Sequence, residues 1–174
     1  MKQIKAFILV LSFILLNNPN LKADVPYYLD FKYILNESTA GKKAQDTLKK
    51  RLNDGVAELN KKEKQFLDDE KKIIQQKKLI SAEEYKKKIS ELRKKASNLQ
   101  KERNDLLNKI SKQRLKAKSE LLKNLNPIIK EYMISKNIKM VIDKKNLILA
   151  DKKLDITKEI VDILNKKLKS VKLN

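Results

Sequence analysis

The sequence contains no cysteine, no histidine and no tryptophan. Without cysteine and histidine it lacks thiol nucleophiles, the commonest general base and the soft metal ligands, so we predict no enzyme activity and no metal or cofactor. The absence of cysteine also excludes disulfides, and the fold must rest on packing alone. Only five tyrosines and four phenylalanines supply aromatic side chains. This composition disfavours a large globular core and favours an elongated architecture.

Glycine is scarce as well, since Gly41 and Gly55 are the only two in 174 residues. Neither belongs to a phosphate-binding loop motif. The acidic run Asp68, Asp69 and Glu70 is the one local cluster that suggests a cation site. Consecutive residues of a helix point in different directions, so this run favours an ordinary solvated face.

The N-terminus has the pattern of a signal peptide (residues 1–23). Lys2 and Lys5 form a short positive region, and a mostly apolar stretch follows at 6–16. This stretch is too short to span a bilayer as a helix, and a polar segment then leads to Ala23. We therefore predict cleavage after Ala23 and export to the periplasm, with an uncleaved N-terminal anchor as the alternative.

The chain is strongly basic, with 42 Lys and Arg against 22 Asp and Glu and a net charge of +20. Between Lys42 and Lys123 lie 26 basic and 13 acidic residues, so this segment alone carries +13. Such a field attracts acidic unfolded chains, anionic lipid or nucleic acid, and salt weakens it. Each basic cluster taken alone is more readily explained as an ordinary solvated helix face than as a binding site. The candidate binding residues, as a collective surface, are Lys49, Lys50, Arg51, Lys71, Lys72, Lys86, Lys87, Lys88, Arg93, Lys94 and Lys95.

A seven-residue apolar repeat predicts a long helix after the capping types Ser38 and Thr39. The repeat indicates a stripe that packs against another helix, over a length of about 60 Å. The stripe consists of Leu52, Leu59, Phe66, Ile73 and Ile80. The alternate seam positions are largely polar, which predicts a thin seam that permits the helices to splay. They are Gly55, Lys62, Asp69 and Gln76.

Ser81 and Glu84 have the spacing of a capping box, which predicts that a second helix begins there. Apolar residues recur downstream in steps of three and four, at Tyr85, Ile89, Leu92, Ala96, Leu99, Leu106 and Ile110. Folding the chain near 80–82 pairs positions whose numbers sum to about 165 and brings the two stripes together, with Phe66 facing Leu99. We predict an antiparallel hairpin over 40–126. Because two such helices leave most of their surface in water, the hairpin should project as an arm.

The two ends of the exported chain, 24–39 and 127–174, predict one small body. A short strand is expected over 27–30, with a helical turn after it. Pro127 should kink the returning helix, or end it and let it restart, because proline removes a backbone donor and clashes with the preceding turn.

Alternating residues at 138–143 and an apolar run at 147–150 predict a β-hairpin in this body. Asp155 or Thr157 is expected to cap a final amphipathic helix. A body with three strands is marginal alone, which favours an oligomer. The predicted fold class is therefore α+β, mainly α, with a long coiled-coil arm projecting from a small β-containing oligomerisation body.

This ordered layout resembles the Skp/OmpH-like periplasmic chaperones. The local similarity lies in three segments that follow the family's order of strand end, apolar strand and helix start: Met140-Val141-Ile142-Asp143, Leu147-Ile148-Leu149-Ala150 and Leu154-Asp155-Ile156-Thr157. The resemblance implies a homotrimer in which strands of three chains form the body and three arms enclose a cavity. It also implies ATP-independent holding of unfolded outer-membrane proteins.

Together these patterns predict a non-enzymatic holdase whose partners are unfolded outer-membrane proteins, with anionic lipid as a further contact and no specific nucleic acid. A structural coiled-coil protein of the envelope is the first alternative. A basic nucleic-acid-binding protein is the second, although export argues against it. The residues expected to pack in the body or its subunit interfaces are Tyr27, Leu29, Phe31, Met140, Ile142, Ile148 and Ile163.

Overall fold

The computed structural model describes residues 25–173. The predicted signal peptide lies outside these residues. The described chain is mainly helical, with a long helical hairpin and a small two-stranded sheet, and the predicted fold class is confirmed.

The sheet consists of two short parallel strands from opposite ends of the chain. Strand β1 (Tyr27–Leu29) pairs with β2 (Val141–Asp143), and Tyr28 lies opposite Ile142. The Ile156 amide also donates to the Tyr28 carbonyl oxygen (3.0 Å). The connection between the two parallel strands is the entire helical hairpin, so strand pairing closes the base of that hairpin.

The predicted β-hairpin near the C-terminus is wrong. Only β2 forms a strand, and a 3₁₀ helix (Lys144–Asn146) follows it directly. The Asp143 carboxylate accepts a hydrogen bond from the Lys145 amide (3.2 Å) and so turns the chain away from a second strand. The segment 147–150 is not a strand, and the partner of β2 is β1 instead. A second 3₁₀ helix occupies Lys152–Leu154.

Two helices follow β1 with a single buried residue between them. Helix α1 (Phe31–Glu37) is capped by Asp30, and α2 (Thr39–Gln76) is capped by Ser38, whose hydroxyl accepts from the Gly41 amide (3.2 Å). A Cβ atom added at Gly41 would overlap the carbonyl oxygen of Leu35. The glycine therefore permits the close approach of the two helices at the base of α2.

Helix α3 (Ala82–Ser135) begins where the capping pattern predicts, because the Ser81 hydroxyl accepts from the Glu84 amide (3.2 Å). It continues through Pro127, so the alternative in which the helix ends and restarts there is wrong. Pro127 is exposed, whereas Leu125 and Ile128 on either side are buried in the body. That burial holds α3 together across the missing backbone hydrogen bond.

Helix α4 (Thr157–Lys167) is tied to the sheet at its start. The Thr157 hydroxyl accepts from the Asp30 amide (2.8 Å) and donates to the Asp155 carboxylate, which also accepts from the Thr157 amide (2.9 Å). Ile156 occupies the capping position and makes no side-chain bond there. Of the two predicted caps, Asp155 thus supplies the carboxylate that accepts from the helix start, although it lies one residue before the capping position.

Two apolar clusters hold the helices together. The body cluster joins β1, α1, the start of α2, α3 and α4, and its buried members are Leu29, Ile34, Ala40, Leu121, Leu125, Ile128, Ile156, Ile160, Val161 and Leu164. The arm-base cluster lies further along α2 and α3, with Ala44, Leu48, Ile110, Ala117 and Leu173. No helix within residues 25–173 is long and apolar enough to cross a membrane.

Candidate functional site in the helical arm

Three polar contacts, which we call the polar ladder, cross between α2 and α3 at seven-residue intervals. They are Lys62 Nζ to Glu102 Oε2 (2.7 Å), Lys95 Nζ to Asp69 Oδ2 (2.7 Å) and Lys88 Nζ to Gln76 Oε1 (3.0 Å). Their residue numbers each sum to 164, within one position of the predicted register. The polar positions of the predicted seam therefore bind across the hairpin.

The ladder is electrostatically favourable but open to water. The hydrogen bond and the charge attraction between Asp69 and Lys95 lower the pKa of Asp69 and raise the pKa of Lys95. Hydrogen bonds to Glu102 and Glu58 raise the pKa of Lys62. Such exposed ion pairs contribute little to stability, so the ladder fixes the register of the arm more than it strengthens it.

The predicted basic clusters lie along the arm and are not gathered at one point. Lys49 and Lys72 on α2 alone are separated by about 35 Å along the helix axis. Nine of the eleven candidate residues are exposed and two, Arg51 and Lys88, are half-buried. Lys88 and Lys95 already bind across the hairpin. The structure therefore supports a distributed positive surface and assigns no single basic residue to a site.

Two grooves flank the seam at the base of the arm. Thr47 lines one and Lys49 the other, and two residues correspond to about 200° around a helix, so the grooves lie on opposite sides. The first, the tail groove, has a volume of about 760 Å³, and residues 168–173 form one of its walls. The second, the open groove, has a volume of about 680 Å³ and is lined by α1, α2 and α3 alone.

The tail after α4 explains why the two grooves differ. It has no regular secondary structure, and Val171 and Leu173 pack into the arm-base cluster while Lys172 between them stays exposed. Leu173 is buried against the two arm helices. The sequence pattern of the arm gave no signal for either groove, because the difference depends on where the tail lies.

The residues predicted to pack in the body fall into two groups. Leu29 is buried in the body cluster, and Tyr27, Phe31 and Ile163 pack against it from partly buried positions. The others are half-buried Ile142, exposed Met140 and fully exposed Ile148. Leu149 beside Ile148 is also almost fully exposed. A single chain therefore buries only some of the residues predicted to pack in the body.

Within residues 25–173 no three acidic side chains come close enough together to hold a metal ion. In the acidic run of α2, Asp69 binds Lys95 across the hairpin, while Asp68 is exposed. The surface features that distinguish the arm are therefore its charge, its ladder and its two grooves.

Comparison with known proteins identifies a family and a related solved structure. The family model described as "Outer membrane protein (OmpH-like)" matches residues 27–164. No curated protein matches the chain. A crystal structure of an OmpH-like protein from Caulobacter crescentus CB15, for which an outer membrane chaperone role was inferred, has the same fold with a TM-score of 0.80 and 21% identity. The alignment covers 85% of this chain and 89% of that one. Because the family match extends from β1 through the arm into α4, the chain belongs to the OmpH-like family.

Proposed function

We propose that this protein is an ATP-independent holdase of the periplasm that keeps unfolded outer-membrane proteins from aggregating. The observation that carries the proposal is the arm itself, in which α2 alone is about 57 Å long and exposes basic and apolar side chains to solvent. Family membership and the name of the Caulobacter protein support a chaperone role. The predicted signal peptide supports export.

The mechanism requires holding and no chemistry. The positive field of the arm, +13 between Lys42 and Lys123, attracts acidic segments of an unfolded chain. Many weak contacts then keep apolar segments of the client away from other chains. The exposed polar ladder costs little to open, so the arm helices can splay to fit clients of different size. The same surface would accept anionic lipid headgroups.

We further propose that the working form is a homotrimer assembled through the body. A two-stranded sheet with three residues in each strand is marginal in water. Ile148 and Leu149, which follow β2 by a few residues, expose apolar surface, and Met140 directly before β2 is also exposed. Contacts with neighbouring chains would cover these residues. Sedimentation equilibrium of the processed protein should give three times the chain mass, whereas a monomer at all concentrations would contradict the trimer.

Aggregation of a real client tests the function. An outer-membrane barrel protein unfolded in urea is diluted into buffer without ATP, and light scattering is recorded with and without the processed protein. We expect one trimer per client to suppress scattering, and raised salt to weaken this suppression because it screens the arm charge. Undiminished scattering at that ratio would contradict the holdase and favour a structural coiled-coil role.

A further inference from the structure

The open groove is an unfilled apolar surface with a positive rim. Its floor is formed by residues from three helices, Leu35, Ala44, Leu48, Leu52, Ile110, Ala117 and Leu121. Lys49, Arg114 and Lys118 on its rim outnumber the single carboxylate of Asp46. An occupant with apolar side chains on one face and acidic side chains between them would match both features.

Exposed apolar side chains continue the open groove towards the tip of the arm. Val56 lies one turn beyond groove-lining Leu52, and Leu107 lies one turn beyond Ile110. Both remain exposed, at 41% and 52% of their surface. The ladder register places residue 107 opposite residue 57, so Leu107 and Val56 lie at the same level of the arm, and both continue the open groove.

The same flank extends further along α2. Leu67 and Ile74 are exposed, and they follow Val56 by 11 and 18 residues, which correspond to about three and five whole turns. From Ala44 to Ile74 the strip is about 45 Å long, enough for about 13 residues of extended chain. A transmembrane β-strand has about 9–11 residues.

The protein's own tail shows how a segment binds to these helices. On the opposite flank Val171 and Leu173 insert between α2 and α3, and Lys172 between them faces out. This is a segment without regular secondary structure in which apolar and polar residues alternate. Strands of transmembrane β-barrels have the same alternation. Exposed Lys172, however, lies at the margin of a groove that Lys43, Arg51 and Lys116 also line, so charge does not favour the tail there.

From these features we infer that the open groove and its strip form the client-binding face of the arm, and that the occupant is an extended segment of alternating apolar and acidic residues. This inference rests on the proposed holdase function. It assigns the apolar contacts to one flank of the arm and leaves the basic clusters a steering role. The groove would bind the apolar side chains in register with the two helices, while the rim cations pair with the acidic ones.

A peptide-binding experiment tests the inference on the whole processed protein. The probe is a fluorescein-labelled 12-residue peptide in which leucine and valine alternate with aspartate and serine, and its Kd is measured by fluorescence anisotropy. A scrambled peptide of the same composition is the peptide control. In the double variant Val56→Gln, Leu107→Gln we expect the Kd to rise about tenfold, since the two exposed side chains lose apolar burial on binding.

Leu115→Gln is the matched protein control. Leu115 lies on α3, is 66% exposed and lines neither groove, so the Kd of this variant should not change. The inference is overturned if the double variant binds as tightly as the wild type, if the control loses as much affinity, or if the scrambled peptide binds equally well. Should the double variant lose helicity, the photo-cross-linker p-benzoylphenylalanine at residue 107 or 115 decides instead.

With the cross-linker we expect client adducts from residue 107 and none from residue 115. Adducts between two copies of this chain from residue 107, formed without client, would show that a second subunit covers the face and would overturn the inference. The scattering assay separates the two levels of the argument. If the wild-type protein suppresses aggregation and the double variant keeps its peptide affinity, only the binding face is refuted. If the wild-type protein fails to suppress aggregation, the holdase function itself is refuted.

Discussion

Truncation of Leu125 tests whether the body is the anchor of the arm. Leu125 lies on α3 with none of its surface exposed and packs in the body cluster with Leu29, Ile160 and Leu164. Leu125→Ala removes buried methyl groups from the body cluster and leaves a cavity, which costs about 2–5 kcal/mol. Since single domains are stable by about 5–15 kcal/mol, this one change would remove a large fraction of the total.

The matched control is Leu115→Ala on the same helix. Leu115 is 66% exposed, and both variants exchange leucine for alanine, so the change in helix propensity is the same. We expect the control to alter the free energy of unfolding by less than about 0.5 kcal/mol. Urea unfolding followed by circular dichroism at 222 nm, at one fixed chain concentration, measures both values. Equal costs for the two variants, or a cost below about 1 kcal/mol for Leu125→Ala, would refute the assigned core.

Three further changes probe the arm and its base. Gly41→Ala should lower the free energy of unfolding by about 1–3 kcal/mol because the added Cβ meets the backbone of α1. Gly55→Ala should change it by less than about 1 kcal/mol because its Cβ meets only a flexible leucine side chain. Equal urea midpoints for the two variants would contradict this difference. Lys95 lowers the pKa of Asp69 in the folded state. The stability that the Asp69–Lys95 ion pair contributes is therefore fully present above about pH 4 and is lost as the pH falls through that lowered pKa. The Tm difference between wild type and Asp69→Asn should therefore shrink below pH 4, and a difference that is constant with pH would argue against the pair. Leu173→Ala should loosen the arm base and speed amide hydrogen exchange of α2 near the arm-base cluster, and unchanged exchange there would show that the tail does not hold the arm.

The helical arm could be predicted from the sequence because its determinants are local and periodic. The repeat through Leu59 and Phe66 and the cap at Ser81 define two helices and the turn between them. The fold-back register then follows from matching this repeat to the apolar stripe of the second helix. The ladder was also within reach, since the predicted register places the opposite charges of Asp69 and Lys95 within one position of each other.

The body could be predicted only in part because its sheet depends on distant residues. The partner of β2 is β1, more than 110 residues away, and no local pattern reports such a pairing. The apolar run at 147–150 has the composition of a strand, yet the carboxylate of Asp143 turns the chain before it. An exposed apolar segment of this kind gains a partner only from outside the single chain, and composition does not distinguish this case from a buried strand.

The candidate site could be predicted as a charge distribution and not as a surface with two sides. Basic clusters are visible in the sequence, but each contributes to the same broad field. The open groove exists because residues 168–173 cover one flank of the arm base and leave the other flank free. That asymmetry depends on the packing of Leu173, a residue far in sequence from both helices it contacts.

The most direct test of the central claim is to detect an unfolded client held in a soluble complex. The protein has no tryptophan, so the tryptophan fluorescence of a bound barrel protein reports on the client alone. Analytical ultracentrifugation of the mixture, without ATP, should show one soluble species that contains both proteins, with client emission unlike that of the folded barrel. Separate sedimentation of the two proteins, or a client that is already folded in the complex, would contradict the holdase account.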